Sequence, residues 1–474
     1  MYSTRELRGN EYNRVKLLIA FALAGGWAFA GSALAQISIG NDTQVDARPQ
    51  GSGYFPGDSG YWIGSSPDGY SYDCWGEDRP STGEWTLSCR TYLGGSALTD
   101  PVQIQQSFET TVFFPTGCSD DGGNVYLAWS GNGDLFISHS VDRGLSWTAP
   151  QRVDSGPSAV VRTAEPRIAC DGSGRVYLVW KDSRDGDHHV YFNRSLDSGD
   201  SWEPSDVRVD SIAGAVDGYR YGPIIAADSL GDVYVGWVKN GHLYLIASND
   251  AGQTWGSPET ALDRFGVGDP AGSRPSIAAD DSGHVYVAWT IGQMYLNRSD
   301  DFGTSWLATE QQISDSEAVI AAGGTITADR TGHVYGLWFY QAPGEFVFTV
   351  RFNSSSDYGV TWAPRDTLLG PTDVGFHPFI PRLASDDNGG VFAIWLRYVA
   401  TRTRHVYGNA SFDYGASWAG GTNGFQVDSA APEVDINSHE PFVSCDQRGT
   451  ATANWLDRRD TRQNHMYQNS FGLQ

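Results

Sequence analysis

SLDSGDSW, Ser195 to Trp202, is the stretch that decides the fold, because the chain writes it six times. The same Ser-x-Asp-x-Gly-x-Ser/Thr-Trp spacing ends at Trp147 (SVDRGLSW), Trp255 (SNDAGQTW), Trp306 (SDDFGTSW), Trp362 (SSDYGVTW) and Trp418 (SFDYGASW). Its residue types are those of a stapled turn. Ser and Asp side chains bond the backbone N–H groups of the turn, Gly takes positive φ, and the indole packs beside it. A second motif interleaves with the first. GNVYLAW, GRVYLVW, GDVYVGW, GHVYVAW, GHVYGLW, GGVFAIW and the worn GTATANW end at Trp129, Trp180, Trp237, Trp289, Trp338, Trp395 and Trp455, which define units 1 to 7.

Successive tryptophans of this second set are 51, 57, 52, 49, 57 and 60 residues apart, a period that indicates a propeller or solenoid. Each unit has one internal order. A short strand such as PRIACD or PSIAAD leads to an Asp/Gly turn and then to the VYxxW strand. A third strand (VYFNRS, MYLNRS), the eight-residue box and a fourth strand (VRVD, QQIS) follow. Four such strands make one blade, and a blade buries both faces only against neighbours in a ring. The seventh unit reaches HMYQNSFGLQ without a fourth strand, and TQVD, Thr43 to Asp46, matches what it lacks. The expectation is an all-β, seven-bladed β-propeller of four-stranded blades, with the N-terminal strand closing the last blade.

Residues 1–35 read as a signal peptide. Basic residues precede the apolar run LLIAFALAGGWAFAGSA, and Ala33-Leu34-Ala35 offers a cleavage site. Residues 36–49 hold the closing strand, 50–107 are an aromatic-rich insertion that covers one end of the ring, and 108–474 are the propeller proper. The insertion carries Trp62, Trp75 and Trp85 with Cys74 and Cys89, a candidate disulfide in an oxidising compartment. Cys118, Cys170 and Cys445 fall in an inner-strand slot filled elsewhere by Ala or Ser, so they are expected as buried free thiols.

The six boxes in register resemble the Asp-box, or bacterial neuraminidase, repeat of the sialidase-like propeller superfamily, over residues from about 108 onward. The resemblance implies that the boxes lie on outer strands away from the ligand face. It also implies a six-bladed sialidase fold as the alternative blade count. The superfamily holds sialidases and other glycoside hydrolases as well as lectins and assembly factors, so fold alone does not decide activity. Its sialidases hold a substrate carboxylate with arginines, one of them in a Phe-Arg-Ile-Pro motif. Here Ala164, Tyr221, Ser273, Phe379 and His439 stand two places before the inner-strand prolines, so the motif is absent.

Charge narrows the partners. With 32 basic and 56 acidic residues the net charge is -24, which argues against nucleic acid and anionic membrane surfaces. The expected partner is a carbohydrate or glycoconjugate, with a protein partner as the further option. The location is secreted or periplasmic, with no membrane insertion after signal cleavage. Beyond the signal, Lys181 and Lys239 are the only lysines.

Candidate site residues are sought in the loops before each first strand and after each VYxxW tryptophan. For glycoside hydrolysis, Tyr219 or Tyr221 is a candidate nucleophile, with Glu165, Asp182 or Asp185 as acid/base. Arg220 and Arg274 are candidate clamps for a carboxylate, with Arg184, His439, Glu440 and Arg458 as further substrate contacts. The competing reading of each is a solvated rim of Arg–Asp pairs. His188-His189 with Asp185 and Asp187 reads as a hydrated loop rather than a metal site, and no metal or cofactor is expected. The Asp-rich turns CSDDGG, ADDSG and SDDNGG look like calcium ligands, yet they recur where a hairpin needs Asp and Gly. Two readings stay open: an exo-sialidase-like glycoside hydrolase acting on extracellular glycans, and a non-catalytic lectin or protein-binding scaffold.

Overall fold

A computed structural model describes residues 37–40, 42–45, 61–79, 84–108, 113–156, 164–211, 216, 222–256, 259–264, 275–315, 320–341, 348–370, 379–400, 403–430, 439–457 and 465–473. Among them are eight antiparallel sheets, six of four strands and two of five. Unit 2 shows the plan. Ala164–Cys170, Val176–Asp182, His189–Ser195 and Val207–Arg208 pair in that order from the inner strand outward. The first two turns of a unit therefore leave its inner strand and its loops at fixed, alternating ends of the ring.

The expected count of seven blades, and the alternative of six, are corrected to eight. The additional blade is the segment taken for a covering insertion. Tyr61–Ser65, Tyr70–Arg79, Glu84–Leu93 and Val102–Phe108 form its sheet, with Ser96–Ala97 on the edge. Its inner strand touches the inner strands of both unit 7 (His439–Cys445) and unit 1 (Phe113–Ser119), and the other inner strands touch in chain order. The ring thus closes through this blade. Physically it is a worn copy of the repeat. GYSYDCW ends at Trp75, 54 residues before Trp129, and Trp75 is 1% exposed like its seven counterparts. Its pattern is masked because Ser71 replaces the usual Val and a Gly94-Gly95 turn replaces the box.

The box is a staple in all six copies. In unit 2, Ser195 Oγ donates to Asp197 Oδ1 (2.8 Å) and accepts the Gly199 N–H (2.9 Å). Asp197 accepts both the N–H (2.9 Å) and the hydroxyl (2.5 Å) of Ser201. The residue before the glycine also has positive φ, 59° at Ser198, and its N–H bonds Gly174 O (2.8 Å) in the first turn of the same blade. The tyrosine of VYxxW secures that first turn: Tyr177 Oη donates to Asp171 Oδ2 at 3.1 Å, and Tyr126, Tyr234, Tyr286 and Tyr335 do the same. The Asp-rich turns thus use Asp120, Asp280 and Asp386 as acceptors for their own backbone N–H groups.

Two devices join neighbouring blades. The third-strand asparagine reaches the carbonyl that ends the previous blade: Asn193 to Val153 O (3.5 Å), Asn297 to Leu262 O (2.9 Å), Asn353 to Ile313 O (3.0 Å) and Asn469 to Val427 O (2.7 Å). Before three of the fourth strands an acid then clips the residue that follows the previous fourth strand. Asp206 accepts the Ser155 N–H (2.9 Å), Glu259 the Ser211 N–H (3.1 Å) and Asp366 the Asp315 N–H (3.0 Å). At the closure the acid comes from the N-terminal segment, where Asp42 accepts the Ser429 N–H (2.9 Å) and Asn469 Nδ2 (3.0 Å). Ile37–Ile39 and Thr43–Gln44 pair with His465–Leu473 as the missing outer strand, and Val45 is fully buried.

Cys74 and Cys89 stand opposite each other on adjacent strands and form a disulfide. Cys118 and Cys170 are also bonded, which corrects the expectation of free thiols for these two. Their slot is small, but neighbouring inner strands bring it face to face across the seam of units 1 and 2. Cys445 is a free thiol.

Two outcomes follow for stability. Asp42→Ala, by removing the acceptor at the closure, lowers unfolding free energy by about 1 kcal/mol in a denaturant titration; an unchanged midpoint contradicts the clip. At the seam of units 4 and 5 the clip sets Asp315 against Asp366. Burial, reinforced by the Asp315 charge, pushes the Asp366 carboxyl up to about 6, against the pull of the Asp315 N–H, Arg351 and Asn353. A raised carboxyl pKa gives stability that is full below about pH 4 and is lost as pH rises through about 6. Asp366→Asn is therefore expected to raise Tm at pH 7.5 and leave it unchanged at pH 4.

Candidate functional site

The loop end of the ring, opposite the boxes, is where the units stop agreeing. Several inner strands enter there through a β-bulge, seen as register shifts after Phe113, Ala164, Ala322, Phe379 and His439. The bulge forces positive φ at Phe114 (52°), Glu165 (59°) and Gly323 (64°). Glycine suits that conformation; phenylalanine and glutamate hold it under strain, and strain of this kind concentrates at functional sites.

Glu165 is the candidate that the structure characterises best. Its Oε2 is buried and has no hydrogen-bond partner. Gly222 packs directly on it: a Cβ added at Gly222 would lie 2.7 Å from both Glu165 Cβ and Oε2. Gly222 must lack a side chain for this approach. Tyr219, Arg220 and Tyr221 immediately precede it in the chain but lie outside the described residues, as do Arg274 and Arg458. His439 and Glu440 are described only by their backbone, at the start of the inner strand of unit 7.

Asp182, Arg184 and Asp185 come together, but around one another. Arg184 donates from Nε to Asp182 Oδ2 (2.7 Å) and from Nη1 to Asp206 Oδ2 (2.7 Å), and lies 4.3 Å from the Tyr191 ring centroid. Asp182 also accepts the Arg184 N–H (2.7 Å) and the Trp180 indole N–H (3.3 Å), and Tyr191 Oη donates to Asp185. Burial works against the guanidinium charge, but the Asp182 and Asp206 bonds outweigh it and raise its pKa. Burial and the Asp185 bond raise the Tyr191 phenol in the same way. The arrangement shapes the long loop after Trp180; its polar atoms are largely spent on one another.

Behind this loop lies a group that motif reasoning missed. Lys181 is 1% and Lys239 0% exposed, on the second strands of units 2 and 3. Strand alternation sends Lys181 to the side of Val179 and Lys239 to the side of Trp237, so both face the seam of these two units. Lys239 Nζ is 4.0 Å from Asp210 Oδ2, and Asp210 also meets His189 Nδ1 at 2.8 Å and accepts the Val190 N–H at 2.9 Å. His188 has a buried Nδ1 without a hydrogen-bond partner; burial, then the Lys181 charge, lowers its pKa. Its carbonyl accepts the Val216 N–H (2.8 Å), and Val216 is buried in the seam of units 2 and 3. The readable signal was scarcity, since the only two lysines beyond residue 35 fall at matching strand ends. The His–Asp pair itself is blade scaffold, since His242–Asp263 (2.9 Å) and His405–Asp428 (2.8 Å) repeat it.

Among the described residues no group of three or more His, Cys, Asp or Glu side chains is placed to hold a metal ion, and no helix is long and apolar enough to cross a membrane.

No family model matches the chain, and no curated protein matches it. Solved structures are similar at low identity. An ulvan lyase of polysaccharide lyase family 25 has a TM-score of 0.47 at 12% identity, over 74% of this chain and 90% of that one. The NanB sialidase of Streptococcus pneumoniae has 0.40 at 10%, over 75% and 67%. The endo-arabinase of Bacteroides thetaiotaomicron has 0.31 at 15%, over 52% and 91%. These values describe a loose likeness; the blade count and closure above rest on strand pairing.

Glu165→Gly separates strain from folding. Glycine relieves the positive φ, so the variant is expected to match or exceed wild-type stability, by up to about 1 kcal/mol. A loss of more than that in chemical unfolding would show that the side chain is held for stability alone.

Proposed function

We propose that this chain is an exported propeller that recognises carbohydrate at the loop end of units 2 and 3, with an acidic sugar as its preferred ligand. The observation that carries the reading is Glu165, strained at φ 59° with a buried, unpartnered Oε2 packed against Gly222, the residue that directly follows Tyr219, Arg220 and Tyr221 in the chain. Strain and an orphaned polar atom are retained where a ligand uses them. Arg220 and Arg274 are the proposed carboxylate clamps.

In the hydrolase form of this reading Glu165 is the acid/base and Tyr219 or Tyr221 the nucleophile. The lectin form binds without turnover, and the missing arginine motif favours it over sialidase chemistry. A glycan array run beside a panel of 4-methylumbelliferyl glycosides distinguishes them. Binding of acidic glycans is expected, weakened at least about tenfold by Arg220→Ala, a loss of some 1.4 kcal/mol. Fluorophore release abolished by Glu165→Gln identifies the hydrolase. Silence of the wild type on both panels overturns the carbohydrate reading.

A further inference from the structure

The seam that closes the ring, between unit 7 and the Tyr61–Phe108 blade, is built differently from the others. Two places before the VYxxW tryptophan the repeat carries Leu, Val, Ala or, in unit 5, Gly, as at Leu127, Leu178 and Val235; before Trp75 it carries Asp73. From unit 7, Asn454 and Gln468 face this seam, in places held elsewhere by residues such as Ala128 and Phe192. All three are interior: Asp73 and Asn454 are 0% and Gln468 1% exposed. Asn454 Nδ2 lies 2.6 Å from Asp73 Oδ1, while Asp73 Oδ2, Asn454 Oδ1 and Gln468 Oε1 are buried without hydrogen-bond partners.

A buried carboxyl with an orphaned oxygen, beside a carboxamide with another, is the setting in which a proton is retained. A neutral Asp73 donates its O–H to the carboxamide oxygen of Asn454, a contact whose 2.6 Å length suits O–H···O. The Asn454 amide is then turned over, and its NH₂ occupies the position of the present orphan acceptor. An ionised Asp73 has no such solution, because a buried carboxylate needs several donors or a paired cation. Among the described residues the charged side chain that faces it is Arg90, directly opposite on the next strand. Arg90 is already used: Nε donates to Thr99 O (2.9 Å) and Nη1 to Val45 O (3.1 Å) of the N-terminal closing segment. Unit 7 contributes Asn454, Gln468 and Met466 to this side, and the blade itself adds the phenols of Tyr61 and Tyr92. Asp46 lies outside the described residues.

We propose that Asp73 is a protonation latch: neutral, it holds the ring closed, and on ionising it draws Arg90 away from Val45 and loosens the N-terminal closing strand. The direction of its titration agrees. Burial pushes the Asp73 carboxyl up to about 8, against a smaller opposing pull from the Asn454 NH₂ and then Arg90, and turning the Asn454 amide over removes the first of these. A carboxyl raised in the closed state contributes stability that is complete below its ordinary value near 3.8 and is lost as pH rises through about 8. The ring is therefore tightest in acid, the opposite of a protein held by ordinary ion pairs.

Hydrogen exchange read by mass spectrometry on the full chain tests this, with rates corrected for the intrinsic pH dependence of exchange. In the wild type, opening of segment 37–45 is expected to rise with pH, approaching tenfold per unit between about pH 5 and 8, while the box peptides of units 3 and 4 stay level. Asp73→Asn, neutral at every pH, flattens that profile. Asp73→Leu, which restores the aliphatic character of the repeat, flattens it too and serves if the Asn variant folds poorly. A wild-type profile that is already flat, or an equal rise in the variants, overturns the latch.

Discussion

Every blade carries one tryptophan that it cannot bury by itself. Trp75, Trp129, Trp180, Trp237, Trp289, Trp338, Trp395 and Trp455 are each at most 1% exposed. The clusters that hold them mix residues of two successive blades, as where Trp180 packs with Tyr126 and Leu135, or Trp237 with Tyr177 and Val179. Burying a side chain of this size contributes several kcal/mol only if the neighbour is present. A ring with an open seam would expose one such face, so closure is a condition of the fold rather than an ornament. The N-terminal strand, the asparagine bridges and the acidic clips all serve that condition: Asn469 and Asp42 join unit 7 to unit 6 in the usual way, while at the seam with the Tyr61–Phe108 blade Arg90 reaches Val45 O where the other blades use asparagine.

Most of this was legible in the sequence because the devices are local and repeated. The box announces its own hydrogen bonds through residue type and spacing, and TQVD is readable as a fourth strand because VRVD and FQVD precede it as examples. The Tyr61–Phe108 blade escaped because it keeps the aromatic pair of the motif, Tyr72 and Trp75, while changing its polar punctuation. Ser66 stands in the place of the turn aspartate and receives the Tyr72 hydroxyl at 3.2 Å, and no box follows. A search on the tryptophan interval would have found it where a search on the box did not. The Cys118–Cys170 bond was unreadable for another reason: it depends on which inner strands adjoin, a property of the ring and not of either segment.

The candidate site was less legible, and the cause is physical. Repetition marks what the scaffold requires, whereas a site is made where one unit departs from the others. Asp182, Asp185 and Arg184 look like functional charges in the sequence, yet they satisfy one another around Tyr191. Glu165 looks ordinary in RTAEP, yet a bulge sets it at positive φ and leaves Oε2 without a partner. The two lysines became informative only once the seam of units 2 and 3 placed them together. Polar groups in seams thus divide into kinds: those repeated in several units hold blades in register, and those found once are where the proposed recognition site and the proposed latch lie.

The central claim is the ring of eight, with the aromatic segment as a blade instead of a cover. A crystal structure of the chain tests it most directly, because blades are counted by eye around the ring. Eight sheets are expected, with Tyr61–Ser65 lying between His439–Cys445 and Phe113–Ser119. A map in which His439–Cys445 and Phe113–Ser119 adjoin each other, with residues 61–108 lying across one end of a seven-bladed ring, would contradict it.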